Sequence, residues 1–247
     1  MKKPNSFGSI EEFVSASLLL IDKPLGWTSF DVLNKIKGFV RHHVIVPPNE
    51  QGHAQRFKIG HAGTLDPLAT GLLVICTGKM TRDIDQLQAG TKEYTGQIQF
   101  GQTTPSFDLE TQPEGGYPTD HLSLEKLQDT ARGFVGEQMQ TPPIYSAKQV
   151  DGQRAYKAAR RGETIDIPAV RIVVEAFDIL SFNHGIAEFR IVCSKGTYIR
   201  SLANELGVRS DSGAYLAALR RTLSVPFNVS DAWTVEQLLE RLTDMRY

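Results

Sequence analysis

Long apolar runs are missing from this sequence of 247 residues. None approaches the roughly 18 residues that a membrane-spanning helix needs, and the apolar segment at residues 18–21 is far too short. Residues 1–3 lack the apolar core and cleavage site of a secretory signal peptide. We therefore expect a cytoplasmic protein that does not contact a membrane.

Cysteine is also scarce, since the chain contains only two. Cys76 and Cys193 each lie inside an apolar, strand-like run, which favours buried thiols over a disulfide. The sequence has no CxxC pair and no His/Cys cluster with metal-ligand spacing. It has neither a GxGxxG turn after a strand nor a Walker motif. We expect an activity that needs no metal and no other cofactor.

The net charge is −1 at pH 7, which taken alone does not point to a nucleic-acid partner. The charges are, however, unevenly distributed. Residues 81–130 contain nine acids and three bases, a balance of −6, whereas residues 146–171 contain six bases and three acids, a balance of +3. Because phosphate contacts need only a local basic face, the second segment is a candidate RNA contact. A solvated helix surface explains any single one of these charges equally well.

Hydrophobic periodicity predicts several strands and helices without a regular βαβ alternation. The strands are expected at residues 17–21, 72–76, 94–100, 171–180 and 186–193, and the helices after Thr28 or Ser29, at 81–89, from Ser123 to about Arg132, at 197–207 and at 233–242. This order indicates an α+β fold with a mixed, largely antiparallel central sheet flanked by helices. Residues 1–16 are polar and are expected to form a loose arm before a single domain over 17–247.

The most informative segment is residues 60–71, Gly-His-Ala-Gly-Thr-Leu-Asp-Pro-Leu-Ala-Thr-Gly. It holds one acid, Asp66, in a glycine-punctuated turn just before an apolar strand. Pro67 disfavours the helical conformation at Asp66, and a carboxylate fixed beside a rigid strand can act as a nucleophile or general base. An Asp-Pro pair alone is more often a turn or a helix cap, so the inference depends on the whole motif.

This motif resembles the catalytic motif of the TruB family of RNA pseudouridine synthases, whose nucleophilic Asp corresponds to Asp66. Further segments resemble the same family in the same order: residues 20–29 (Leu-Ile-Asp-Lys-Pro-Leu-Gly-Trp-Thr-Ser), 92–94 (Lys-Glu-Tyr), 141–148 (Thr-Pro-Pro-Ile-Tyr-Ser-Ala-Lys), 193–200 (Cys-Ser-Lys-Gly-Thr-Tyr-Ile-Arg) and 219–222 (Leu-Arg-Arg-Thr). The resemblance implies the pseudouridine synthase fold, with a thumb-like RNA-binding insertion at about 141–168. Because the chain ends at Tyr247, we expect no C-terminal PUA-like domain.

The resemblance also implies roles for individual residues. Asp66 would be the catalytic nucleophile or base, Tyr94 would lie against the target uracil, and Arg200 would keep the carboxylate ionised. His61 would occupy the space left by the flipped nucleotide, and Tyr198 would pack beneath the site. The remaining implied substrate contacts are Arg82 (or Lys79), Lys148, Arg154, Lys157, Arg160 and Leu219. From spacing alone, the two tyrosines are better explained as strand aromatics in the core.

The implied reaction is the isomerisation of uridine to pseudouridine at position 55 of the tRNA T loop, after the base has been flipped out of its stack. The implied partner is the tRNA T stem-loop; no obligatory protein partner is expected, and the protein would be a monomer. Two alternatives stay open: a guide-RNA-dependent pseudouridine synthase, and a catalytically silent RNA-binding or RNA-folding protein. The expected absence of a PUA-like domain disfavours the first, and the intact set of Asp66, Tyr94 and Arg200 disfavours the second.

Overall fold

The computed structural model describes residues 3–44, 56–145, 149–150, 153–154, 161 and 166–245. The chain divides into two compact units. The first unit comprises residues 1–92 and 220–247, and the second comprises residues 93–219. Both contain mostly antiparallel strands flanked by helices, so the α+β prediction is confirmed.

The helices and strands are numbered in chain order. They are α1 (Ile10–Ser15), β1 (Leu18–Lys23), α2 (Ser29–His43), β2 (Ile59–His61), β3 (Ala69–Thr77), α3 (Ile84–Ala89), β4 (Lys92–Phe100), α4 (Leu124–Arg132), β5 (Gly136–Gln140), β6 (Gln149–Val150), β7 (Gln153–Arg154), β8 (Val170–Asn183), β9 (Ile186–Cys193), α5 (Ile199–Arg209), β10 (Ala214–Ser224), β11 (Phe227–Asn228) and α6 (Val235–Asp244). A 3₁₀ turn, Gly78–Asp83, precedes α3.

The central strand of the first unit is β3, whose residues 72–76 are fully buried. β1 pairs with it in antiparallel fashion and places Lys23 opposite Gly71. β2 pairs with the other end of β3 and places His61 opposite Ile75. This register brings the end of β1 beside the start of β3, immediately after the Asp66 turn.

The strands β1 and β3 bury both of their faces, because successive side chains of a strand point in opposite directions. One apolar cluster contains Leu19, Ile21, Leu73 and Ile75, together with apolar residues of α1, α2 and α6. The other contains Leu18, Leu20, Leu72, Val74 and Cys76. An uninterrupted apolar run, rather than an alternating one, is the pattern expected of a strand covered on both faces.

The helix α2 forms where the apolar stripe predicts it, and its start is settled in favour of Thr28 as the N-cap. The Thr28 hydroxyl accepts a hydrogen bond from the backbone N–H of Asp31 at 3.0 Å, and the Asp31 carboxylate accepts one from the Thr28 N–H at 2.8 Å. This reciprocal pair satisfies two backbone donors that the first turn would otherwise leave open.

The expectation of a loose arm at residues 1–16 is wrong for the part of it that the structure describes. Ser9 caps α1, Phe13 is fully buried and Phe7 is almost so. The two phenyl rings lie 5.2 Å apart between centroids and belong to the main cluster of the first unit. The segment is polar on average, but its apolar residues recur every three to four positions, which lets a short helix pack against the core.

In the second unit the strands are ordered β10, β4, β9, β8, β5. The predicted hairpin is present, with Asn183 of β8 opposite Ile186 of β9 and both turn residues, His184 and Gly185, at positive φ. Of these five strands, β5 and β10 were not predicted. β5 is too polar to show an apolar pattern, and β10 mixes apolar and basic residues without alternation.

Replacing Phe13 by Ala tests the docking of α1. The cavity left by a fully buried Phe should lower the free energy of unfolding by roughly 3–5 kcal/mol, which a urea titration followed by circular dichroism would measure. Val208→Ala is the matched control, because Val208 is 62% exposed and should change stability little. Equal midpoints for Phe13→Ala and the parent protein would restore the interpretation of a loose arm.

Candidate active site

Asp66 lies half-buried in the turn that leads into β3. The backbone N–H of Ala69 donates to the Asp66 carbonyl at 3.1 Å, which closes the turn. Earlier in the segment, Gly63 has φ +104°, a conformation that L side chains rarely adopt. The carboxylate is therefore presented from a tight turn whose backbone path is defined on both sides.

The connection between β1 and α2 fixes the residues on either side of Asp66. The buried Ser29 hydroxyl accepts from the N–H of Leu65 at 2.8 Å and donates to the Leu65 carbonyl at 3.1 Å. The N–H of Gly26 donates to the Pro67 carbonyl at 2.9 Å. The two segments that resemble one family in the sequence are therefore joined by hydrogen bonds in the structure.

Lys23 is a fully buried cation in the same region. Its ammonium group donates to the carbonyl oxygens of Pro24 at 3.0 Å, Trp27 at 2.5 Å and Pro67 at 3.4 Å. Burial lowers the pKa of Lys23 to about 8, and the negative charge of Asp66 is the strongest influence in the opposite direction. Within the first unit, Lys23 is thus a positive charge that acts on Asp66, a role that sequence reasoning did not assign.

The lowered pKa of Lys23 makes stability depend on pH with a definite sign. The unfolded chain holds the Lys23 proton up to its ordinary pKa of 10.5, whereas the folded protein releases it at about 8. Between these values the unfolded state binds more protons, so stability rises with pH. Below about pH 8 the folded protein holds a buried positive charge on Lys23, which lowers the free energy of unfolding. The same charge acts on Asp66.

Arg221, only 1% exposed, holds both ends of the Asp66 segment. Its guanidinium group donates to the carbonyls of Leu72 at 2.7 Å, Gly63 at 3.1 Å and Thr64 at 3.4 Å. A Cβ at Gly71 would lie 2.3 Å from the Arg221 carbonyl oxygen, so no larger residue fits there without a backbone shift. Sequence reasoning selected Leu219 from this segment and missed Arg221, for which the two adjacent arginines after Leu219 were the available signal.

The neighbouring Arg220 forms a two-point ion pair with Asp22 of β1. The distances between nitrogen and oxygen are 2.9 and 2.6 Å, and the same guanidinium reaches the Thr70 hydroxyl at 3.4 Å. Hydrogen bonding to Asp22 raises the pKa of Arg220. Both side chains are partly exposed, so this ion pair lies at the rim of the Asp66 segment.

His61 lies half-buried at the end of β2. Burial lowers the pKa of His61, the positive charge of Arg221 lowers it further, and a backbone interaction with Gly63 partly opposes them. The imidazole is therefore mainly neutral at pH 7, in keeping with a side chain that fills space beside a base rather than one that attracts phosphate.

Arg200 is buried in the second unit and pairs with Asp108. Its Nη1 lies 3.3 Å from the Asp108 carboxylate and 3.4 Å from the Ser106 carbonyl, and its Nη2 donates to the Tyr145 carbonyl at 3.1 Å. Both charged side chains are at most 6% exposed. Sequence reasoning counted Asp108 only as one acid of the acidic segment and assigned it no role.

The other predicted residues of the second unit are Tyr94, Tyr198 and Leu219. Tyr94 is 9% exposed in β4, and Leu219 is half-buried in β10. Tyr198 caps α5, and its backbone is held at both polar groups by the Gln140 side chain, at 2.8 and 3.1 Å. Their predicted contacts with substrate stay predictions.

The predicted basic contacts fall into two groups. Arg82 and Lys79 are both exposed on the 3₁₀ turn after β3, so either can reach a ligand. For Arg154 the structure describes only the backbone, in β7. Lys148, Lys157 and Arg160 lie outside the described residues, as does most of the predicted thumb.

Two absences apply to the described part of the chain. No group of three or more His, Cys, Asp or Glu side chains there could hold a metal ion. No helix among the same residues has the length and apolar character needed to cross a membrane. Cys76 and Cys193 are buried free thiols, as predicted.

The comparison with protein families agrees with this geometry. The model of the TruB family pseudouridylate synthases (N terminal domain) matches residues 51–199, which include Asp66 and His61. The chain belongs to the TruB family. The TruB relatives it resembles include tRNA pseudouridine synthase B of Flavobacterium johnsoniae, 47% identical over 232 residues, which cover 94% of this chain and 98% of the relative. The synthase of the same name from Phocaeicola vulgatus is 44% identical, covering 93% and 94%.

This chain has the same fold as chains of two solved complexes. It matches a chain of the Cbf5-Nop10-Gar1 complex with a TM-score of 0.66 and 25% identity, covering 94% of this chain and 55% of that one. A chain of the archaeal box H/ACA sRNP Nop10-Cbf5 complex gives a TM-score of 0.64 at 24% identity, with coverage of 96% and 60%. This chain therefore spans little more than half the length of these structural relatives.

The buried pair of Arg200 and Asp108 makes a prediction about stability. Arg200→Ala should lower the free energy of unfolding by roughly 3–5 kcal/mol, because it leaves the Asp108 carboxylate buried without its partner. The double variant Arg200→Ala/Asp108→Asn should be no less stable than Arg200→Ala alone, since it removes the isolated charge. Urea titrations at pH 7 would measure both, and additive losses in the double variant would show that the two side chains are not coupled.

Proposed function

We propose that this protein isomerises uridine to pseudouridine at position 55 in the T loop of tRNA. The observation that carries the proposal is the Asp66 turn, which Ser29, Gly26, Lys23 and Arg221 fix from outside it, in a chain that covers 98% of a relative named tRNA pseudouridine synthase B. A monomer working in the cytoplasm without an obligatory protein partner is part of the same proposal.

The reaction breaks the bond between N1 of uracil and C1′ of ribose, rotates the base and joins C5 to C1′. Substrate and product contain the same atoms, so the isomerisation needs no oxidant, reductant or second substrate. Asp66 acts as nucleophile or base and must be ionised, a state that the positive charge of Lys23 favours. Arg200 serves as a second charge partner, and Tyr94 packs against the uracil and moves the C5 proton.

The T loop suits this chemistry, because looped and splayed-out nucleotides are the RNA elements that proteins read by sequence. The target base must leave its stack to reach Asp66. His61, which is mainly neutral, fills the space that the base leaves. The basic segment at 146–171 grips the RNA backbone, with Lys148, Arg154, Lys157 and Arg160 as its phosphate contacts.

The guide-RNA-dependent synthase is the alternative to consider, because two solved structures that the chain matches are H/ACA complexes. Relatives named tRNA pseudouridine synthase B are more similar and match over nearly the full length. Incubation of the purified protein with an unmodified tRNA transcript, with no guide RNA, separates the two. Pseudouridine mapped to position 55 supports the proposal, and a requirement for a second RNA contradicts it.

Asp66→Asn tests the proposed catalytic role. The variant should bind tRNA with an affinity close to that of the parent protein but lose product formation by several orders of magnitude, because an amide cannot act as the nucleophile or base. The matched control is Asp231→Asn, which removes an exposed carboxylate from the same unit. Turnover of Asp66→Asn within about tenfold of the parent would remove Asp66 from this role.

Lys23→Met tests the charge beside Asp66, because Met fills the buried space without the ammonium group. Without that charge the acidic limb of the pH–rate profile for kcat/KM should move to higher pH. The shift follows because Asp66 then holds its proton up to a higher pH. An identical acidic limb in both proteins would show that Lys23 does not act on the ionisation of Asp66.

A further inference from the structure

We propose that one exposed face of α2 binds the backbone of the tRNA substrate on its way to Asp66. The α2 stripe consists of Phe30, Asn34, Lys37 and Arg41. This inference rests on the proposed function for the identity of the RNA, and it adds a contact surface separate from the basic segment at 146–171.

The spacing of the α2 stripe places its four side chains in one line. Intervals of four, three and four residues bring side chains to the same face of a helix. From Phe30 to Arg41 the line extends about 17 Å along the helix axis. The opposite face of α2 is the buried one, with Val32, Ile36 and Val40 in the apolar core.

The line begins at the candidate active site. Ser29, the residue before Phe30, makes both hydrogen bonds to Leu65, the residue before Asp66. A strand of RNA that delivers a nucleotide to Asp66 therefore has the start of α2 directly beside it. From there the stripe leads away from the turn toward the basic C-terminal end of the helix, Arg41, His42 and His43.

The first residue of the stripe is an aromatic ring in an exposed position. Phe30 is 59% exposed, and the Lys37 ammonium group lies 5.6 Å from the centre of its ring. Most of the apolar area of this ring is in water, so the ring is accessible to a ligand. A ring with a cation beside it is the combination on which unpaired bases stack while phosphates are neutralised.

In the part of the chain that the structure describes, the cations of α2 have no acidic partners, in contrast to four arginines elsewhere on the surface. Among the residues that the structure describes, no carboxylate lies within ion-pair distance of Lys35, Lys37 or Arg41. Asp31, the acid of this helix, is engaged with the Thr28 cap. Elsewhere Arg132 pairs with Asp129, Arg171 with Glu137, Arg209 with Glu205, and Arg190 with both Glu93 and Asp178.

A row of cations without acidic partners fits a row of phosphates better than it fits an acidic protein surface. Regularly spaced phosphates can contact Lys37 and Arg41 in turn along the helix, and Phe30 supplies the stacking partner for a base. Lys35 lies on a different face of α2 and adds to the positive charge of the helix. The chemistry of the surface therefore matches RNA at both its apolar and its charged end.

The test compares two triple variants with the same change in charge. The first, Lys35→Gln/Lys37→Gln/Arg41→Gln, removes the α2 cations. The second, Lys126→Gln/Arg132→Gln/Arg241→Gln, removes three surface cations from α4 and α6. The Kd for unmodified tRNA is measured at several salt concentrations, together with the rate at saturating tRNA and the thermal midpoint.

The α2 variant should bind tRNA at least tenfold more weakly, and the slope of log K against log salt should fall by roughly two to three, as expected for two or three lost phosphate contacts. Its rate at saturating tRNA should stay within about twofold of the parent. The control variant should keep both Kd and slope. Equal losses in the two variants would indicate a general charge effect and overturn the proposal, as would unchanged binding of the α2 variant.

Phe30 is tested on its own. Phe30→Ala should weaken tRNA binding several-fold with the salt slope unchanged, and Phe30→Tyr should restore it, since a phenol ring also stacks. Wild-type protein that forms no pseudouridine in tRNA would refute the proposed function. Wild-type activity together with unaltered binding of the Phe30 and α2 variants would refute this inference alone.

Discussion

The turn that carries Asp66 depends on one buried guanidinium group. Arg221 donates to the carbonyls of Gly63, Thr64 and Leu72 and so ties the start of the Asp66 segment to the strand that follows it. A segment with three glycines has many backbone conformations to lose on folding. The contacts of Arg221 to its main chain help to select one of them.

Two cations of the first unit, Lys23 and Arg220, lie near this turn, and the burial of Lys23 lowers the stability of the fold at neutral pH. Lys23 is buried deeply enough for its pKa to fall to about 8, yet it keeps its proton at neutral pH. Arg220 is matched by Asp22, which limits its effect to the rim. Lys23 is thus a cation whose charge acts on Asp66 from within the unit. The site is held near the limit at which a buried lysine remains charged.

Local sequence patterns predicted the elements whose conformation depends on residues close together in the sequence. The apolar run of β3, the buried apolar face of α2 and the glycine turn around Asp66 can each be predicted from residues that are close together in the sequence. The partners of Arg200 and Arg221 could not be predicted in this way. Arg200 meets Asp108 across 92 residues, and Arg221 differs from Arg220 only in the side of the strand it faces. A shift of one residue in the register of β10 would exchange their roles.

The distance along the chain between Leu72 and Arg221 determines when the Asp66 turn can be fixed during synthesis. These residues are separated by 149 positions, and the second unit lies between them in the sequence. At about 5–20 residues per second, a ribosome needs roughly 8–30 s to pass from one to the other. A nascent chain thus carries Asp66 well before it carries the arginine that fixes it. Products that stop before Arg221 therefore contain the Asp66 turn without the three hydrogen bonds that fix it.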